Sequence, residues 1–171
     1  MVSPQRKEGV VIEVRIHSLN VDATTNQPVI LLRDPESGKL LPIWIGGNEA
    51  SAILLKLQRV EPPRPLAHDL LMNTIRDLGF ELERVEITRL EESTFYAELS
   101  LKSAERKIAI DARPSDSIAL AVRANAPIFV ADEVLESAGI TPEEEYDEEA
   151  EVERFRSFLE SVNPQDFMPP Q

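Results

Sequence analysis

The sequence predicts an α+β fold in which duplicated strand-rich units, each closed by a helix, form one mixed sheet, followed by an acidic C-terminal helix. Three observations predict it. Apolar residues recur at every second position in some segments and at helical spacing in others. One strand–turn–helix pattern occurs twice, 67 residues apart, with Lys39–Ala50 running parallel to Arg106–Ser117. The formal charge of −13 is concentrated at the C-terminal end.

The first strand spans Val10–Val21, where Val10, Ile12, Val14 and Ile16 alternate with polar residues after Val11. Val29–Leu32 is a short apolar run that ends at Asp34-Pro35-Glu36-Ser37-Gly38, a strong turn signal. Leu40–Ile45 reads as the returning strand, broken by Gly46-Gly47. Asn48 is the expected cap of a helix to about Gln58, with Ala50, Ile53, Leu54 and Leu57 on its apolar face. Pro62, Pro63 and Pro65 stiffen a connector, because proline fixes φ and removes a donor. A second helix runs from about Ala67 to Leu78 and stops at Gly79. Strands are expected at Phe80–Leu90, Thr94–Leu101 and Lys107–Ala112, then a helix from Ser115 to Asn125 with Ser115 as its cap. A strand at Pro127–Val130 and a short helix at Asp132–Ser137 complete the body. Beyond Gly139, Thr141-Pro142-Glu143-Glu144 signals a helix start, and Val152, Phe155, Leu159 and Val162 recur at helical spacing. The expected division is a domain at 10–138 and an acidic helical tail at 139–171.

Residues 1–131 carry 16 Lys/Arg against 18 Asp/Glu, while residues 132–171 carry 2 against 13. The body is therefore near neutral at −2 and the tail holds −11. Phosphate binding draws on Lys and Arg, so non-specific nucleic-acid binding is disfavoured for the whole chain. With no cysteine, disulfides, thiolate metal sites and cysteine nucleophiles are excluded. No apolar run reaches the roughly 18 residues of a membrane helix, and Met1–Gly9 lacks the apolar core of a secretory signal. A cytoplasmic protein is expected.

Two places could carry chemistry. His68 and Asp69, after Arg64-Pro65-Leu66-Ala67, open a helix, where donors converge and an anion could bind. Asp111, Arg113, Ser115 and Asp116 form the densest polar group. An acid in a first helical turn also has a purely structural use, and Glu49 repeats the arrangement of Asp116. His17, the other histidine, is expected at the surface. A metal-dependent phosphodiesterase needs two or three carboxylates around one or two ions, and the acids available are Glu49, Asp69, Asp111 and Asp116. No phosphate-cradling glycine loop, serine-nucleophile elbow or zinc motif is present.

Several segments together resemble the bifunctional nuclease domain family: Leu41-Pro-Ile-Trp-Ile-Gly with Glu49-Ala50, Glu61-Pro-Pro-Arg-Pro-Leu with His68-Asp69-Leu70, Thr94-Phe-Tyr-Ala, Asp111-Ala-Arg-Pro-Ser-Asp-Ser-Ile-Ala, and Ala126-Pro-Ile-Phe-Val. They fall in order across about residues 10–138, and the tail resembles that of actinobacterial members. One departure is Ala67, where the family usually has Thr before the His-Asp pair. The resemblance implies a compact α+β fold that self-associates and a nuclease activity on DNA and RNA. On that reading the chain is a metal-assisted nuclease. Asp69, Asp111 and Asp116 are candidate ligands for Mg²⁺ or Mn²⁺, and these acids with His68 are candidate catalytic residues. Arg64, Arg113 and Ser115 would bind substrate. The alternative is a non-enzymatic oligomeric interaction or regulatory module, with residues 141–171 contacting a protein partner. A homo-oligomer is expected on either reading, since exposed sheet edges invite pairing.

Overall fold

The computed structural model describes residues 9–142. The acidic helix expected from Thr141 onward falls almost wholly outside them. Seven strands and four helices follow in the order β1 (Val11–Val21), β2 (Pro28–Arg33), β3 (Leu40–Trp44), α1 (Gly47–Leu57), α2 (Ala67–Asp77), β4 (Glu81–Glu91), β5 (Thr94–Lys102), β6 (Lys107–Ala112), α3 (Pro114–Ala124), β7 (Ile128–Ala131) and α4 (Asp132–Ala138). The fold is α+β, as the residue periodicities predict.

The strands form one sheet in the order β3-β2-β1-β7-β4-β5-β6. This order is symmetric about β7. Each side is a three-stranded antiparallel meander, and each meander's outer strand leads into a helix, α1 or α3. That is the duplication legible at 67-residue spacing. β7 runs antiparallel to β1 and parallel to β4, which makes the sheet mixed.

The core forms where the alternating apolar faces meet the helices. Ile30, Leu32, Leu41, Val85, Ile87 and Val130 are fully buried from the sheet side, and Ile53, Ile118 and Leu120 from the helix side. α3 is the central helix: eight of its 11 residues are buried, and it packs on β4, β5, α1 and α2. Its all-round apolar character follows from having neighbours on several sides. Asn125 ends it in the left-handed region at φ 51°, and Gly79 follows α2 at φ 80°.

Three local expectations are corrected. α1 is capped by Gly46, not Asn48, which is the second helical residue. A β-carbon on Gly46 would lie 2.3 Å from Glu49 Oε2, so the missing side chain leaves room for that carboxylate. α3 is capped by Arg113, not Ser115, because Pro114 fills the first helical position with its pre-set φ. Leu54 and Leu57 are exposed, whereas Ala50, Ala52 and Ile53 are buried: the inward face of α1 is rotated from the expected stripe. His17 is exposed, beside a register irregularity in β1.

Candidate functional site

Counting from each helix start, Glu49, Asp69 and Asp116 are all the third residue of their helices. An acid there can accept from the free N–H groups of the first turn and favours the helix dipole. Asp69 does so directly, its Oδ2 accepting from Leu66 N–H at 2.9 Å. This local preference explains each acid separately. Tertiary packing then brings the three helix starts together.

The convergence is a chain of charged contacts. His68 Nε2 lies 2.8 Å from Asp116 Oδ1. Arg113 donates from Nε to Asp116 Oδ2 at 2.8 Å and from Nη2 to Glu49 Oε1 at 2.7 Å. Arg113 thus joins the duplicated acids of α1 and α3, and His68 joins α2 to α3. Two of the five guanidinium N–H groups are used this way, which leaves three. The Arg113 side chain is 66% exposed, so the remaining donors face solvent.

Burial of Asp116 works to raise its pKa, but hydrogen bonds and charge from Arg113 and His68 outweigh it, and the net direction is down. The Glu49 carboxyl is lowered chiefly by the hydrogen bond from Arg113, then by its own backbone N–H. Arg113 is held firmly in its charged form by Asp116 and Glu49. Because Asp116 is ionised at neutral pH it can only accept, so His68 Nε2 carries the hydrogen. In the neutral ring the lone pair is then on Nδ1.

Asp69 belongs to a second arrangement. Burial raises its pKa, the hydrogen bond from Arg123 and the one from Leu66 N–H lower it, and the result is a lowered carboxyl. Arg123 Nε meets Asp69 Oδ1 at 2.6 Å, and its other nitrogens donate to Ala119 O and Ala52 O. Sequence reasoning missed Arg123. The available signal was a lone charge inside an apolar helical run, since such a charge must find a partner when buried.

Asp111 does not join these acids. It pairs across the sheet with Glu98 and is exposed, while its neighbour Ala112 pairs with the buried Ala97 on the core face that α3 covers. Strand alternation therefore puts Asp111 on the opposite face from Asp116. Arg64 is exposed, with no ion pair found for it among the described residues. Ser115 is buried at the start of α3.

Two of the acids expected to hold Mg²⁺ or Mn²⁺, Asp69 and Asp116, are already paired with arginines. Asp69 is engaged by Arg123, and Asp116 and Glu49 by Arg113. Among the described residues, no three His, Asp or Glu side chains stand together so as to hold a metal ion. Asp69, Asp111 and Asp116 are therefore not gathered into one ligand set among the described residues. No helix of the described residues is long and apolar enough to cross a membrane.

These depressed carboxyls set a pH dependence. Each contributes stability above the ordinary carboxylate range and loses it as pH falls through its lowered native value. Thermal melts are therefore expected to hold level from neutral pH down to roughly pH 4 and to fall below that. Asp69→Asn should flatten the acid limb. An identical limb in the variant would contradict the assignment.

Fold and site together define an α+β domain whose polar centre is a His–Asp–Arg–Glu chain at converging helix starts. The chain matches the Bifunctional nuclease domain over residues 30–143 and belongs to that family. It is 49% identical over 162 residues to an uncharacterized protein of Mycobacterium tuberculosis, covering 91% of this chain and 97% of that one. It is 30% identical over 148 residues to Bifunctional nuclease 2 of Oryza sativa subsp. japonica, covering 78% of this chain and 46% of the rice protein. Bifunctional nuclease 1 of Oryza sativa subsp. japonica is 27% identical over 133 residues, covering 73% of this chain and 40% of the rice protein. The chain thus spans less than half the length of these plant relatives.

Proposed function

We propose that the chain hydrolyses phosphodiester bonds in DNA and RNA at the His68–Asp116–Arg113–Glu49 centre. The observation that carries this reading is the 2.8 Å pairing of His68 with an Asp116 that Arg113 also grips. Asp116 fixes the tautomer of His68 and stabilises its protonated form. The Nδ1 lone pair takes a proton from the attacking water as the water oxygen bonds to phosphorus, and the leaving oxygen departs with the bonding electron pair. His68 in its protonated form then returns a proton to that oxygen, as general acids do. The spare N–H groups of Arg113 bind the phosphate oxygens, where negative charge builds up in the transition state. Glu49 holds Arg113 in place. Membership of a family named for nuclease activity supports the same reading.

The test is cleavage of single-stranded DNA and of RNA by the full chain, with Mg²⁺, with Mn²⁺ and with EDTA. His68→Gln is expected to lower cleavage by about a hundredfold or more, with an unchanged melt. Cleavage at the wild-type rate in that variant would remove His68 from the mechanism. No cleavage by the wild-type chain under any of the three conditions would remove the reading.

A further inference from the structure

A cleft of about 420 Å³ opens beside Arg113, with Gln27, Trp44, Thr94, Phe95 and Ser115 in its walls. It lies between the end of β3 and the start of β5, next to the cap of α3. Three of its properties bear on what it takes. Its volume falls within the range of small-molecule pockets. Its single charged lining residue among the described residues is Arg113, which is shared by Asp116 and Glu49 and keeps three N–H groups for a ligand. Trp44 is 49% exposed, although an indole is among the largest apolar surfaces a chain can bury.

The indole is held in place despite that exposure. Trp44 Nε1 donates to Asp22 Oδ2 at 3.2 Å, and Asp22 is itself fixed by the backbone N–H groups of Thr24 and Thr25. An anchored, half-exposed ring offers a flat apolar surface that loses little freedom when something stacks on it. Adjacent to it are a cation with unused donors and the exposed, hydroxyl-bearing Thr94. Aromatic platforms beside Arg are how proteins hold unpaired nucleotides: the base stacks on the ring and the phosphate meets the guanidinium.

We infer that this cleft is a nucleotide subsite that takes one unpaired base against Trp44 and the adjoining phosphate on Arg113. The inference rests on the proposed function and names its substrate class as single-stranded nucleic acid. A base within a duplex is stacked on both sides and cannot offer its face to the indole, so duplex is excluded without any sequence reading. Every base has a face, so DNA and RNA both fit.

Trp44 is the single tryptophan of the chain, so fluorescence excited at the red edge, where the two tyrosines do not absorb, reports on this cleft. The probe is a short oligothymidylate with non-hydrolysable phosphorothioate linkages, added to the full chain. Saturable quenching is expected, with duplex of the same length binding at least tenfold more weakly. In anisotropy measurements with labelled oligonucleotide, Trp44→Ala should weaken binding by about tenfold or more. Trp44→Phe, which keeps a ring, should recover most of it. Oligonucleotide binding without quenching, duplex binding of equal strength, or equal affinity in Trp44→Ala would each overturn the subsite. The two readings fail separately. Quenching without any cleavage of ordinary DNA or RNA sinks the nuclease and leaves the subsite. Cleavage with no change in Trp44→Ala affinity sinks the subsite and leaves the nuclease.

Discussion

Replacing Arg123 with methionine is expected to destabilise the domain by about 3 kcal/mol, the lower end of the range for breaking a buried ion pair from one side. The Arg123 side chain is 5% exposed, and its guanidinium joins Asp69 of α2 to the carbonyl of Ala52 in α1. Methionine keeps much of the apolar stem and removes the charge. The carbonyls of Ala52 and Ala119 lie within helices and keep their helical partners. The cost therefore falls on Asp69, whose carboxylate is left in a partly desolvated place with one backbone N–H. Asp69 is 27% exposed, so some solvation remains, which favours the lower figure. Urea unfolding measures the loss. The double variant Arg123→Met with Asp69→Leu should recover most of it, because removing both partners leaves no orphaned charge. A double variant as unstable as Arg123→Met alone would show that Arg123 acts through packing and not through Asp69.

Asp116→Asn is expected to reduce cleavage of single-stranded DNA by about a hundredfold or more. An amide can accept or donate, so it no longer dictates which nitrogen of His68 carries the hydrogen. It also fails to stabilise the imidazolium that forms when His68 takes a proton. Arg113 loses one of its two carboxylates and keeps Glu49. Asp111→Asn is the matched comparison, since Asp111 is exposed on the opposite sheet face, and its cleavage rate should equal that of wild type. A loss of equal size in both variants would place the chemistry elsewhere.

The elements were legible because their signals are local. Alternation at Phe95, Ala97, Leu99 and Leu101 is enough to identify β5, and Asp34–Gly38 to turn the chain between β2 and β3. The symmetric strand order was half legible: the repeat pairs β3–α1 with β6–α3, but nothing local says that β7 lies between the meanders. The same limit governs the site. His68, Asp69, Arg113 and Asp116 stand out as polar groups at element ends, yet which acid meets which base is decided across 48 residues for His68 and 64 for Arg113 with Glu49. Asp111 is near Asp116 in sequence, and strand alternation separates them. The position of Glu49 in the first turn signals a capping acid, but not its bond to Arg113. Trp44 lies between the buried Ile43 and Ile45, so alternation puts it on the outward face, but periodicity does not report the contact with Asp22 that holds its indole.

The position of β7 has a consequence for how the chain is made. Both meanders leave the ribosome before the strand that unites them, and β1 must wait until Ala131 emerges to pair Val11, 120 residues downstream. Until then the inner edges of β1 and β4, each 11 residues long, stand open together in a nascent chain. Unpaired edges of that length invite mispairing, with each other or with neighbouring chains. Closure depends on a strand of four residues that arrives late, followed at once by α4. A pairing so remote in sequence makes assembly slow. The interval between synthesis of β4 and of β7 is therefore when a newborn chain is most exposed to aggregation and most in need of a chaperone.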